Sequence, residues 1–348
     1  CEGGKTYQEL NRQLPELPGT DTLIACALDT QEKIYAADPM VIDGCQTQGI
    51  RERSEIAIFN SKGLDLHYEN TTSGLIVVGV VSDGQEMSDS FKIKLGALSE
   101  IDTAALAEKV VRDAKIKLGG DVAPTGQYPV IFNPDAMSDL LGVYSSIFSS
   151  EAAQKGLSKL AGREGEVVAS PVVTLVDDPA HPQNPMPIHF DAEGSPTHRK
   201  NVIDKGVLNT LLYNLKTAAV AGKKTTGNAS KAGYDAPVAV RPFTMYLVPG
   251  EKSEEEVLAP IEKGVYINSL GGLHAGANPI TGDFSLQSSG FMVEGGRKTT
   301  FVKSFTVAGN FYDLLKNITE VASNLETPGM GSFGSPAVRV DGLSVAGK

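Results

Sequence analysis

Short apolar runs separated by turn residues occupy the first third of the chain, a pattern typical of strands joined by tight connections. Such runs lie at residues 23–28, 56–59, 64–68 and 75–81, with turn signals between them that include Asn60-Ser61-Lys62-Gly63. Connections this short favour an antiparallel sheet. Helical spacing follows at Leu106, Ala107, Val110, Val111, Ala114 and Leu118, after Asp102 or Thr103 and before Gly119-Gly120. We therefore predict a first domain, residues 1–122, in which one helix packs on an antiparallel sheet.

The rest of the chain, residues 123–348, mixes strand and helix patterns without regular alternation. A strand at residues 129–132 precedes Asn133 and Pro134, an N-cap and first-turn pair that begins a helix. Strand patterns recur at residues 243–248, 265–270 and 291–307. A long helix near the end is capped by Asn310, and its apolar stripe comprises Phe311, Leu314, Leu315, Ile318, Val321 and Leu325. The predicted fold class is α+β, with a β-rich mixed second domain.

Net charge and cysteine content narrow the functional classes. The sequence has 42 acidic and 31 basic residues, a formal net charge of −11, and no basic stripe with interleaved aromatic residues. Because DNA binding depends on neutralising phosphates with Lys and Arg, this balance argues against direct nucleic-acid contact. The apolar run at residues 75–81 is too short to span a bilayer. Cys1, Cys26 and Cys45 have no metal or redox spacing, so we expect reduced thiols in a cytoplasmic protein.

An acidic turn flanked by histidines is the most distinctive feature of the second domain. It spans residues 190–199, Phe-Asp-Ala-Glu-Gly-Ser-Pro-Thr-His-Arg, in which Gly194 and Pro196 force the chain to reverse. Two short buried strands follow, one with Val202-Ile203 and one with Val207-Leu208, folded back at Asp204-Lys205-Gly206. We expect a rigid hairpin that holds the turn.

Together with three later segments, this motif resembles the TldD/PmbA (TldE) family of proposed modulators of DNA gyrase. The segments follow in the family's order: residues 226–228 (Thr-Gly-Asn), 281–285 (Thr-Gly-Asp-Phe-Ser) and 306–311 (Thr-Val-Ala-Gly-Asn-Phe). The resemblance runs from residue 127 to the end and is weaker before that. A chain that begins at Cys1 has two explanations, a lipid-modified mature terminus or a start part-way through the natural protein. Members of this family carry additional amino-terminal sequence, so the resemblance favours a first domain that is truncated at its start.

The resemblance also indicates a branch of the family. In the TldD branch, a helix carries His-Glu-x-x-x-His, in which two imidazoles bind zinc and the Glu is the general base, and a later Cys completes the ligands. The corresponding stretches in this chain, residues 141–147 and 328–332, contain no His, Glu or Cys. We therefore expect a PmbA/TldE-like chain with no catalytic or metal-binding residues of this type, and zinc only in a TldD-type partner.

A peptide-binding cleft is a function that the resemblance still allows. The family's active cleft lies in the carboxy-terminal domain, and the candidates for lining it are Asp191, Glu193, Arg199, His274, Asn278 and Asp283. A different hypothesis places a metal ion on His189, Asp191 and Glu193, which would share one face of an extended strand. In the competing interpretation, Asp191 and Glu193 accept backbone hydrogen bonds in a turn. We favour the turn.

Three functional hypotheses follow. The first is a non-catalytic, TldE-like partner of a TldD-type zinc metalloprotease that processes peptides. The second is a stand-alone homodimer that binds a peptide or another small ligand, and the third is an independent metal-dependent hydrolase. We also predict a dimer, homodimeric alone or heterodimeric with a TldD-type subunit, because hairpins and Gly-rich loops leave strand edges that a partner would cover.

Overall fold

A computed structural model describes residues 1–10, 14, 16–182, 184, 186–327 and 332–347. The chain divides into two units. The smaller comprises Asn11–Ile56 and His67–Asp121, and the larger comprises Cys1–Leu10, Ala57–Leu66 and Val122–Lys348. The domain boundary predicted between residues 122 and 123 lies beside the last of these division points, whereas residues 1–10 and 57–66 group with the larger unit.

A three-stranded sheet and two helices make up most of the chain before residue 121. Their order is α1 (Thr20–Ala37), β1 (Gln46–Phe59), β2 (Asp65–Ser82), β3 (Met87–Leu95), a 3₁₀ turn (Leu98–Glu100) and α2 (Thr103–Lys115). Leu75 and Val77 of β2 are fully buried in one cluster with Ile34 and Val110. Burying an aliphatic side chain of this size stabilises the fold by about 1.5–3 kcal/mol. These contacts place α1 and α2 on the sheet.

Residues 23–28, predicted as a strand, lie within α1, so that prediction is wrong. The run is uniformly apolar, and its helical period becomes visible only when later residues are included. Leu23, Cys26 and Ala27 are partly buried, and Thr30 and Ile34 are fully buried, which is a helical spacing. Ile24 and Leu28, on the opposite side, are 52% and 60% exposed.

The chain from residue 121 onward forms the following elements in order: β4 (Asp121–Val122), β5 (Gly126–Phe132), α3 (Pro134–Tyr144), a 3₁₀ turn (Ser145–Phe148), α4 (Ser150–Gln154), β6 (Leu175–Asp177), β7 (Lys200–Asp204), β8 (Val207–Leu208), α5 (Leu215–Ala221), β9 (Ala229–Ser230), β10 (Ala239–Val240), β11 (Met245–Leu247), α6 (Glu254–Leu258), β12 (Lys263–Gly271), α7 (Leu273–Gly276), β13 (Asp283–Glu294), β14 (Arg297–Asn310), α8 (Phe311–Asn317), β15 (Ile318–Val321), β16 (Phe333–Gly334) and β17 (Val338–Ala346). The predicted α+β class is confirmed.

These strands form two larger sheets and one small one. The seven-stranded sheet has the order β15-β17-β5-β12-β13-β14-β4, and β17 also pairs with β14. As a result, β17, β5, β12, β13 and β14 close into a ring of paired strands. The five-stranded sheet has the order β16-β11-β6-β7-β8, and β9 pairs with β10. The hairpin predicted to hold the acidic turn is formed by β7 and β8.

Helix α3 lies in the main core of the larger unit. The side chain of Asn133 accepts a hydrogen bond from the backbone N–H of Ala136 at 2.7 Å, and Pro134 occupies the first turn, both as predicted. Met137, Leu140, Leu141 and Tyr144 of α3 are fully buried, and so is Phe148 of the following 3₁₀ turn.

The prediction of a long helix after Asn310 is only partly correct. Helix α8 ends at Asn317, and Ile318 begins strand β15, which pairs antiparallel with β17. Phe311 to Leu315 bury their apolar side chains as a helix, whereas Ile318 and Val321 pair with Val340 and Val338. Ile318 and Val321 are β-branched, a residue type that favours strands. Their pairing with β17, which lies later in the chain, ends the helix early.

Candidate functional site

The acidic turn is built around one buried carboxylate. Asp191 is fully buried, and its Oδ1 accepts hydrogen bonds from the backbone N–H groups of Glu193 and Ser195 at 2.9 and 2.8 Å. Its Oδ2 accepts a hydrogen bond from the backbone N–H of Ala229 at 3.0 Å. Burial raises the pKa of Asp191, while the three N–H donors act to lower it. The carboxylate therefore organises the backbone of the turn.

Residues 226–228 pack closely against this turn. Gly227 has φ +69°, and a Cβ added there would lie 2.3 Å from the carbonyl oxygen of Pro196. Only glycine permits both this backbone conformation and this approach of two main chains. The backbone N–H of Ala192 also donates to the carbonyl oxygen of Ala229 at 3.0 Å. Two motifs that are separate in the sequence thus form one local structure.

Glu193 connects the turn to helix α5. Its Oε2 accepts a hydrogen bond from the backbone N–H of Leu215, the first residue of that helix, at 2.8 Å. A carboxylate at a helix N-terminus satisfies a free N–H donor and interacts favourably with the helix dipole. Asp191 and Glu193 therefore both accept backbone hydrogen bonds, as the turn interpretation predicts.

Arg199 and His189 lie on either side of the turn. Arg199 is exposed, and its Nη1 donates to Oδ1 of Asn201 at 3.2 Å, while its Nε lies 3.9 Å from Oδ2 of Asp178. His189 is half-buried, and burial lowers its pKa, so the imidazole is neutral at pH 7. Its ring lies perpendicular to that of Phe190, with a centroid distance of 4.8 Å.

The remaining candidates lie at the start of β13. Oδ1 of Asn278 accepts hydrogen bonds from the backbone N–H groups of Ile280 and Thr281 at 3.0 and 3.3 Å. Oδ1 of Asp283 accepts a hydrogen bond from Nδ2 of Asn310 at 2.8 Å, and this bond is the main cause of the lowered pKa of Asp283. His274 is exposed on α7.

Five of the six candidates thus fall into two groups, and His274 belongs to neither. Asp191 and Glu193 share one turn, with Arg199 at its exit. Asn278 and Asp283 share a second turn, closed by a hydrogen bond from the N–H of Asn278 to the carbonyl oxygen of Asp283 at 2.9 Å. Across the part of the chain that the structure describes, no hydrogen bond joins the first group to the second or to His274.

A buried ion pair next to the turn was not predicted. Nζ of Lys200 lies 3.1 Å from Oδ2 of Asp177, and both side chains are buried. Oδ2 also accepts from Nδ2 of Asn228 at 2.7 Å, while Oδ1 accepts from the backbone N–H groups of Phe243 and Thr244. A sequence signal did exist, because Asp177 directly follows the apolar strand residue Val176. Buried charges of this kind require partners, but the sequence does not show which ones.

Residues 125–347 match the model of the PmbA/TldA metallopeptidase C-terminal domain, and residues 14–118 match that of the central domain. The chain belongs to the PmbA/TldD family. It is 29% identical over 315 residues to a metalloprotease of Methanothermobacter thermautotrophicus, covering 84% of this chain and 68% of that protein. Relatives named TldD homolog and PmbA also match.

Two solved structures of similar proteins have the same fold. A proposed modulator of a DNA gyrase from Thermotoga maritima has a TM-score of 0.92 and 32% identity, over 99% of this chain and 79% of that one. TldE from Thermococcus kodakarensis has a TM-score of 0.87 and 25% identity, over 100% of this chain and 79% of that one. This member of the PmbA/TldD family spans about half to two thirds of the length of the curated relatives it matches.

Residues 141–147, the stretch compared above with the zinc-binding helix of the TldD branch, contain neither His nor Glu. Leu141 and Tyr144 of α3 are fully buried, and the Tyr144 ring stacks on Phe311 at a centroid distance of 4.4 Å. The Tyr144 hydroxyl donates to the carbonyl oxygen of Asp283, and burial raises its pKa to about 12. Within the described ranges, no three His, Cys, Asp or Glu side chains are grouped so as to hold a metal ion. The described residues of this region therefore do not supply the ligand types of a TldD-type zinc site.

Residues 328–331, which make up most of the stretch compared with the later Cys ligand, lie outside the described residues. In the described part of the chain, no helix is both long enough and apolar enough to cross a membrane.

Proposed function

We propose that this chain is a TldE-like, non-catalytic subunit that works with a TldD-type zinc metalloprotease in peptide processing. The observation that carries the proposal is that residues 141–147, the stretch compared with the ligand-bearing helix of the TldD branch, contain no His, Glu or Cys, and that Leu141 and Tyr144 in it are fully buried. A zinc site needs imidazole, carboxylate or thiolate donors, and none is grouped suitably among the described residues. Family membership supports the peptide as the substrate class.

In this proposal the two carboxylates of the acidic turn act as structural supports. Both oxygens of Asp191 and Oε2 of Glu193 already accept backbone hydrogen bonds. The candidates left to contact peptide are the exposed ones: Arg199, His274, Asn278 and Asp283. A guanidinium suits a peptide carboxylate because it can donate two parallel hydrogen bonds. The chain would thus help to bind the substrate, and the partner subunit would supply the zinc.

Reconstitution with a TldD-type subunit tests this proposal. We expect a complex in light scattering and faster cleavage of an unfolded peptide by the mixture than by the TldD-type subunit alone. Arg199→Gln should lower peptide affinity about two- to fivefold, the range expected for one exposed charged contact. Arg297→Gln, an exposed change in the β13–β14 turn, is the matched control. If the mixture shows no complex and no change in cleavage, the partnership is disproved.

The same preparation separates the other hypotheses. A particle of twice the chain mass that binds peptide but ignores a TldD-type subunit would identify a stand-alone homodimer. Stoichiometric zinc that is lost in His189→Ala would instead establish an independent metal-dependent hydrolase. We expect zinc only after the TldD-type subunit is added.

A further inference from the structure

Residues 1–10 lie against the acidic turn as an extended strap. The Tyr7 hydroxyl donates to the carbonyl oxygen of Gly194 at 2.9 Å, and the Cys1 thiol donates to the same oxygen at 3.2 Å. The Tyr7 ring meets the His189 ring edge-on, with a centroid distance of 6.1 Å and an interplanar angle of 84°. This geometry is favourable for two aromatic rings. One phenolic side chain therefore contacts both sides of the turn.

The strap is weakly held compared with the turn beneath it. Every residue from 1 to 10 is at least partly exposed, and the segment has no helix or strand. Its polar contacts with residues 57–66 include a hydrogen bond from the N–H of Gly3 to the carbonyl oxygen of Lys62 at 3.2 Å and one from Asn60 to the carbonyl oxygen of Cys1 at 2.9 Å. They also include an exposed ion pair between Lys62 and Glu2 at 3.6 Å. Segments with few buried contacts open at a low free-energy cost.

One feature of the strap opposes tight docking. Nε2 of Gln8 is buried without a hydrogen-bond partner in the described structure. A buried, unpaired donor destabilises the state that contains it by about 1–3 kcal/mol. Lifting the strap would return this amide to water, so docking is easily reversed.

We propose that Tyr7 occupies a subsite for a phenolic side chain, formed by the Gly194 carbonyl and the His189 ring, and that a tyrosine-bearing peptide displaces the strap to bind there. The chemistry of the subsite selects the ligand, because the carbonyl accepts a hydroxyl hydrogen bond and the neutral imidazole packs against an aromatic ring. Burial raises the pKa of the Tyr7 phenol, which keeps it protonated as a donor. The proposal rests on the peptide-binding role given above and names its side-chain preference.

Hydrogen–deuterium exchange of the intact chain tests the docking step. Tyr7→Ala should increase exchange in residues 1–10, and Tyr7→Phe, which removes only the hydroxyl, should have a smaller effect. Tyr234→Phe is the matched control, since Tyr234 is 93% exposed. Unchanged exchange of residues 1–10 in Tyr7→Ala would show that Tyr7 does not hold the strap on the turn.

Peptide binding tests the subsite. Acetyl-Gly-Gly-Tyr-Gly-amide should bind Tyr7→Ala about tenfold more tightly than the parent, as expected when one competing hydrogen bond and one ring contact are removed. The Phe counterpart should bind more weakly than the Tyr peptide to both proteins. Equal affinity of the two peptides, or of the two proteins for the Tyr peptide, would overturn the proposal, and so would no binding at all. The partnership with a TldD-type subunit is measured separately, so the two failures remain distinguishable.

Discussion

The Asp191 turn and the Asp283 turn contain similar residues, but the pKa values of their carboxyl groups shift in opposite directions. Each has an Asp and a glycine with positive φ, Gly194 at +75° and Gly282 at +86°. Asp191 is buried beneath its own loop, and burial raises its pKa. Asp283 is exposed, and hydrogen bonds from Asn310 and Thr281 lower its pKa. Burial, rather than residue type, therefore separates a carboxylate that supports the backbone from one that a ligand can reach.

Removal of each carboxylate should give the largest contrast between the turns. In Asp191→Ala three N–H donors lose their acceptor at a buried position, and we expect the free energy of unfolding to fall by about 3 kcal/mol or more. Asp283→Ala, at an exposed position, should have a much smaller effect on the free energy of unfolding. Urea unfolding of both variants measures the difference. Equal losses would show that burial does not distinguish the turns.

A methyl group added at Gly227 should disrupt only the Asp191 turn. Ala at φ +69° is strained, and its Cβ would lie 2.3 Å from a backbone oxygen that cannot move independently. We expect a loss of about 3 kcal/mol, since unfavourable backbone geometry and a steric clash combine. Gly342→Ala is the control for strain alone: its φ is +82°, no atom lies within 4 Å of the added Cβ, and about 1 kcal/mol is expected. Thermal unfolding measures the loss of stability in the two variants. Equal losses would contradict the close approach of Gly227 to the Pro196 carbonyl.

Acidification should separate the turns by the smallest effect. The pKa of Asp283 is lowered below its ordinary value of 3.8, so the stability it contributes is present above that value and is lost as the pH falls through its folded-state pKa. Asp191 has a raised pKa, so its effect has the opposite sign: folding is favoured as the pH falls through the folded value. Carbon-13 NMR of the carboxyl groups should show Asp191 protonating first. The reverse order would contradict the assigned environments.

Local rules were sufficient for part of the fold and part of the site. Asn133 and Pro134 begin a helix through bonds within one turn, and Gly194 and Pro196 impose a reversal through their own backbone limits. Long-range partners were not predictable in the same way. Ile318 becomes a strand residue because it pairs with Val340, and Asp177 is buried because Lys200 and Asn228 reach it. A single sequence does not show which distant strand or side chain will pair with a given residue.

The ring of strands determines when the larger unit can fold during synthesis. Strand β5 is complete at residue 132, yet its antiparallel neighbour β17 begins only at residue 338. A ribosome would therefore expose β5 with one edge uncovered until almost all of this sequence had emerged, whereas β2 and β3 can pair as soon as residue 95 is free. Late closure of this kind slows folding and prolongs the time during which an unpaired strand edge can aggregate. Nascent chains that stop short of β17 should therefore bind chaperones most strongly.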